Sequence, residues 1–257
     1  MTVEQNLRSQ CESISFDRAS ATFRDAVAIT RKLGIRYLWI DALCIIQDSD
    51  ADWRAESSAM DYVYRNADVT LASEASPRSA IGIEESMRNA RAPSSTLAWA
   101  SVHCVSKDLR GKIYFRVDYD KAAGWTSRGP LSNRGWTLQE EILSPRILRF
   151  AKQQVLWKCS SATRCEWRPE EGRQYPYRDF AQTLHQTVQR FPQADPDYEV
   201  IPSKDMRKHV LSFWYMGVVN HYVGRLVTYP RDRLMAISGV VEAIQGYLLE
   251  PGCKAGI

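Results

Sequence analysis

With 257 residues, 44% hydrophobic and 11% aromatic, the chain can bury about three quarters of its unfolded surface, enough for one large domain or two small ones. Its 34 basic and 30 acidic residues leave a net charge of only +4 with no long run of one sign, which argues against a nucleic-acid partner. No apolar run approaches the roughly 20 residues of a membrane span, Met1 to Ser20 lacks the apolar stretch of a signal peptide, and six cysteines without C-x-x-C spacing fit a reduced, cytoplasmic protein.

In chain order, Ser20 is placed to cap a helix over about Ala21 to Leu33, where Phe23, Ala26, Val27, Ile29 and Leu33 make one apolar stripe and Gly34 supplies the stop. Tyr37 to Ile40 is apolar without alternation, which predicts a strand buried on both faces, as in a parallel sheet. A second helix is expected over about Asp52 to Asn66, its N-terminal acids suiting the helix dipole, with Trp53, Met60, Val63, Tyr64 and Ala67 on one side. Val69 to Ala72 is a second strand, so residues 21–73 read helix, strand, helix, strand, an α/β pattern.

From Ser73 to Ser95 no period persists, and a surface excursion is expected. Alternation at Leu97 to Val105 and at Ile113 to Tyr119 predicts two antiparallel strands. Gly129, Pro130, Asn133 and Gly135 break the chain before a short helix at Trp136 to Leu143, and strands follow at Ile147 to Phe150 and Val155 to Trp157. Arg146 and Arg149 alternate along the first of these, predicting a solvated face. Arg168 to Gln174 is a charged loop, and helices are expected over about Phe180 to Arg190, Lys204 to Leu226 and Arg231 to Leu249.

The sequence contains no Walker loop, G-x-G-x-x-G, G-x-S-x-G or H-E-x-x-H motif, and its four histidines are not spaced for a metal, so no metal or cofactor site is expected. Asp41, ending a predicted strand, stands where α/β sheets hold ligands, or else caps its own loop. Cys44 between Leu43 and Ile45 reads as a core thiol rather than a nucleophile. Arg134 suits a phosphate and Glu140 an acid, although a salt bridge between them is the simpler reading. Trp136, Leu138 and Ile142 read as core.

Two long blocks resemble the fungal heterokaryon-incompatibility (HET) domain family. The first is Gly34-Ile35-Arg36-Tyr37-Leu38-Trp39-Ile40-Asp41-Ala42-Leu43-Cys44-Ile45-Ile46-Gln47-Asp48 with Asp52-Trp53, Glu56, Met60, Tyr64, Asn66 and Ala67. The second is Arg134-Gly135-Trp136-Thr137-Leu138-Gln139-Glu140-Glu141 with Leu143 to Arg146, Phe150 and Trp157 to Cys159. Tyr229 to Leu234 with Ala236 to Gly239 resembles a segment that commonly follows. Members usually begin with a strand reading A-L-S-Y-x-W-G, which Met1 to Ser20 does not match. The expectation is therefore a HET domain over residues 1–165 lacking its usual first strand, as a truncated gene model or a reduced variant would, with a helical extension over 166–257 packed on it. A missing central strand would leave a pairing edge open.

The resemblance implies a TIR-like or flavodoxin-like α/β core and a cell-death effector of fungal non-self recognition, acting with a sensor or scaffold protein or by self-association. The family's distant likeness to TIR domains further implies NAD as a substrate, cleaved at the nicotinamide glycosidic bond by a glutamate in a W-x-x-E arrangement. Trp53-Arg54-Ala55-Glu56 has that arrangement, which makes Glu56 the catalytic candidate and Asp41, Trp53 and Arg134 the substrate-binding candidates. An anion there stabilises an oxocarbenium-like state. An acid in a helix's first turn is also favoured by the dipole alone. The competing reading is a non-enzymatic module that signals by assembly, or an inactive remnant.

Overall fold

The computed structural model describes residues 1–76, 78–90, 100–105, 110–115, 129–152, 154–159, 161–166, 208 and 210–248. Helices and strands are mixed: α1 (Leu7–Glu12), α2 (Ala21–Lys32), α3 (Asp41–Cys44), α4 (Asp50–Asn66), β1 (Thr70–Ala72), α5 (Ile83–Ala90), β2 (Ala100–Val105), β3 (Arg110–Phe115), α6 (Thr137–Leu143), β4 (Arg146–Phe150), β5 (Val155–Cys159), β6 (Thr163–Cys165) and α7 (Asp232–Leu248). The helix expected at Phe180 to Arg190 and the loop at Arg168 to Gln174 lie outside the described residues.

The ends of α2 are set by local chemistry. The Ser20 hydroxyl accepts a hydrogen bond from the Phe23 amide. At the other end Gly34 has φ +73°, and its amide and that of Ile35 donate back to Arg31 and Thr30, a Schellman closure that needs the left-handed residue glycine supplies. Asp50 and Asp52 in the first turn of α4, with Ser49 accepting from the Asp52 amide, start that helix in the same way.

One sheet has the order β1-β4-β5-β6, with β1 and β4 parallel (Leu71 opposite Leu148) and the other two pairs antiparallel. The antiparallel pair β2–β3 forms a separate ribbon, paired as expected, but Val102 to Val105 are all exposed rather than alternately buried. The strand expected at Tyr37 to Ile40 is absent: among the described residues, 35–40 runs without a ladder partner, and Tyr37 is 78% exposed rather than buried. An apolar run becomes a strand only when a neighbour satisfies its backbone, and a cavity separates this run from β1.

The excursion expected after Ser73 contains α5, whose Ile83 and Met87 are buried with Ala75 and Phe150. Its cap comes from a distant residue, since Asp25 Oδ2 on α2 accepts from the Ile83 amide at 2.7 Å and the Glu84 amide at 3.2 Å. The larger core joins α6 to the C-terminal helices: Leu138, Ile142 and Leu143 pack with Val210, Phe213, Val218, Tyr222, Ala236, Val240 and Ile244. Phe213–Val219 is π-helical and runs on into Asn220–Tyr222. The Gln139 side chain, almost fully buried, accepts from the Gly239 amide at 2.8 Å, and a Cβ at Gly239 would collide with Asp61.

Candidate functional site

A cavity of about 910 Å³ is lined by residues 34–41 and 66–74. The first run leaves the capped end of α2 and belongs to the first sequence block, and the second is β1 with its flanks. α2 contributes Ala26 and Thr30, α4 contributes Tyr64, and the second block contributes Arg134, Thr137, Glu140 and Glu141.

Asp41, Tyr64, Arg134 and Glu140 converge here. Loss of solvent around the Glu140 carboxyl pushes its pKa from 4.5 up to about 7; the Arg134 charge opposes the rise, Asp41 adds to it, and a hydrogen bond from Tyr64 opposes it. The Tyr64 hydroxyl is raised well above its usual value, first by burial and then by the Glu140 and Asp41 charges. Trp39 stands edge-on to Tyr64 with ring centroids 5.9 Å apart, which fixes the phenol ring. Asp41 begins α3, remains exposed, and accepts from the Ala42 amide at 2.7 Å.

A second set of charges braces the wall opposite the first block. Glu74, buried, accepts from the Ser132 amide and pairs with Arg149 at 3.2 Å; Arg149 also meets Glu141 at 2.9 Å. Buried Arg225 approaches Glu141 at 3.7 Å and donates to Thr137 Oγ1 at 2.9 Å. Arg149, expected on a solvated face, is thus bound between two acids. The carboxylates that hold it come from the end of β1 and from α6, and periodicity within one strand carries no information about either.

Of the residues singled out by sequence, Asp41 and Arg134 line the cavity, whereas Glu56 and Trp53 are not among its lining residues. Trp53 stands edge-on to Trp136, centroids 6.2 Å apart, joining α4 to the start of α6. Glu56, half-buried, faces Cys44, whose thiol is raised first by desolvation and further by the Glu56 and Asp41 charges. In the sequence Tyr64 falls on an apolar stripe, and its hydroxyl on an otherwise apolar face is the signal that marks it. Among the described residues no group of histidine, cysteine, aspartate and glutamate side chains could hold a metal ion, and no helix is long and apolar enough to cross a membrane.

No curated protein and no solved structure matches the chain. A family model described as heterokaryon incompatibility protein (HET) matches residues 2–140, more than half of the 257, and spans both walls of the cavity up to Glu140 itself. The chain therefore belongs to the heterokaryon-incompatibility family.

Proposed function

We propose that this HET domain is a cell-death effector of fungal non-self recognition that cleaves NAD at the nicotinamide glycosidic bond, with Glu140 as the carboxylate that meets the reacting sugar. The observation that carries the reading is the gathering of Asp41, Tyr64, Arg134 and Glu140 in one cavity, where desolvation and neighbouring charge set the Glu140 pKa to about 7. The volume lies within the range of about 300–1,000 Å³ that small-molecule sites occupy.

In the reaction the glycosidic C–N bond breaks with its electron pair passing to the ring nitrogen, so the pyridinium becomes neutral nicotinamide. Positive charge builds on the ribose, and the ionised Glu140 offsets it. Water then adds to the anomeric carbon, and its proton passes to the carboxylate and on to solvent. Tyr64 orients Glu140 through their hydrogen bond, and Arg134 supplies a cation for the phosphates.

Nicotinamide release from NAD, followed by chromatography, tests this. Glu140→Gln is expected to lose at least about 100-fold in kcat/KM, within the usual worth of a positioned acid or base. Glu56→Gln is expected to lose less than about tenfold, since Glu56 stands outside the cavity lining. The reverse order of losses would move the catalytic role to Glu56 and its W-x-x-E motif. Because the carboxylate form is required, kcat/KM should rise with pH through about 7.

A further inference from the structure

The loop that carries Arg134 is tied to a segment far along the chain. The Leu226 amide donates to the Asn133 carbonyl at 2.7 Å, the Gly135 amide donates to the Leu226 carbonyl at 2.7 Å, and Arg134 and Leu226 form an isolated parallel bridge. Glycine at 135 permits the approach, because a Cβ there would lie 2.5 Å from Val227 Cγ1. The tie sets Arg225, only 3% exposed, against the N-terminal end of α6. Its Nη1 donates to Thr137 Oγ1 at 2.9 Å and to the Arg134 carbonyl at 3.4 Å, its Nε donates to the His221 carbonyl at 3.2 Å, and its Nη2 lies 3.7 Å from Glu141 Oε2. Thr137 Oγ1 is itself within hydrogen-bond distance of the Arg134 and Leu131 carbonyls, at 2.8 Å and 2.9 Å.

Packing alone does not call for a cation at this place. A guanidinium taken out of water is costly unless acceptors and opposite charge compensate it, and a positive charge at the N-terminal end of a helix opposes the helix dipole. The compensation comes from the carboxylates of α6: Glu141 beside Arg225, and Glu140 in the first turn. Burial opposes the ionisation of Glu140 most strongly; the Arg134 charge works against that burial, Asp41 from α3 adds to it, and the Tyr64 hydrogen bond from α4 and the Arg225 charge side with Arg134. Arg225 therefore acts on the site in two ways, by contact with the Arg134 loop and by its charge.

We propose that Arg225 is a positioning residue for the site: lying past the end of the family match at residue 140, it seats the Arg134 loop and the first turn of α6, and so holds the Glu140 carboxylate in register with the Arg134 cation. The positioning stands on these contacts; its effect on turnover rests on the NAD reading. A guanidinium suits the task because one planar fork reaches Thr137, the Arg134 carbonyl and Glu141 together, whereas a lysine ammonium is a point charge on a flexible stem and keeps the charge without the fork. The matched region by itself thus carries Arg134 and Glu140 without the group that fixes them.

The test follows the Glu140 carboxyl directly, by carbon NMR of the full chain labelled at its glutamate carboxyls, with the Glu140 signal assigned by its loss in Glu140→Gln. Arg225→Gln should raise the pH midpoint of that signal by at least about 0.5, since a nearby opposite charge favours the ionised carboxylate. Arg225→Lys, which keeps the charge, should bring the midpoint at least halfway back. An unmoved midpoint in folded Arg225→Gln, or a lysine variant that titrates like the glutamine variant, overturns the proposal. Should Arg225→Gln fail to fold, Thr137→Val, which removes the hydroxyl that Nη1 reaches, decides by the same titration: a raised midpoint supports the proposal and an unmoved one overturns it. In nicotinamide release the acid limb of kcat/KM should move with the midpoint, a loss of about threefold on that limb in Arg225→Gln, which a merely structural role would not produce. A limb that stays put while the midpoint moves overturns the link to turnover. A moved midpoint in a protein that never releases nicotinamide overturns the NAD reading instead and leaves the positioning standing.

Discussion

Glu140 joins the two halves of the site, because the groups that set its proton affinity, Tyr64 and Asp41, belong to the first sequence block while Arg134 shares the second. A carboxyl whose folded pKa rises from 4.5 to about 7 is favoured when protonated. Its contribution to stability is therefore fully present below 4.5 and is lost as pH rises through about 7. The shift corresponds to about 3 kcal/mol at about 1.36 kcal/mol per pKa unit. Urea unfolding of the parent and of Glu140→Gln should then differ in pH dependence by about that amount between pH 4 and pH 8, the variant gaining relative stability at the higher pH. Equal pH dependence in the two proteins would show that Glu140 titrates normally. The sequence predicted a salt bridge between Glu140 and Arg134, of which the structure keeps only the charge interaction, and it identified Asp41 at the end of an extended run. It did not reveal the desolvation, which arises only when α4 brings Tyr64 against α6.

At the scale of elements, local signals were legible wherever the deciding chemistry was local. Ser20 and Gly34 bound α2 as their residue types predict, and alternation located β2 and β3 as an antiparallel pair. The α5 helix was not legible because its amides are capped by Asp25, 58 positions upstream of Ile83. Asp25→Ala should cost about 1 kcal/mol, the usual worth of a cap, read as a fall in the urea midpoint. No change would mean that burial of Ile83 and Met87 holds α5 without its cap. The run at Tyr37 to Ile40 departs from its expected strand for a related reason. Its apolar composition is that of a buried strand, but a strand is a property of two backbones, and among the described residues no second one is laddered to it.

For the whole molecule, the HET match ends at residue 140, yet the main core does not end there. Leu138, Ile142 and Leu143 are covered by residues of the C-terminal helices, and Arg225 meets Glu141 at the back of the cavity wall. The sequence division into a domain over 1–165 and an extension over 166–257 therefore describes motif content, while burial ties the described parts of both together. Ile244→Ala, at a nearly inaccessible position, should destabilise the full chain by about 2–5 kcal/mol through lost transfer energy and the cavity left behind. A fragment ending at residue 165 should lack a cooperative unfolding transition, as measured by circular dichroism against urea. A fragment that unfolds as sharply as the full chain would show the first domain to be self-sufficient.

NAD cleavage in the cavity around Glu140 is a proposal, and nicotinamide release by purified parent, Glu140→Gln and Glu56→Gln proteins is the measurement that decides it. Turnover is expected in the parent and in Glu56→Gln, rising with pH through about 7, with a loss of at least about 100-fold in Glu140→Gln. Turnover that persists in Glu140→Gln, or none in the parent, would contradict it.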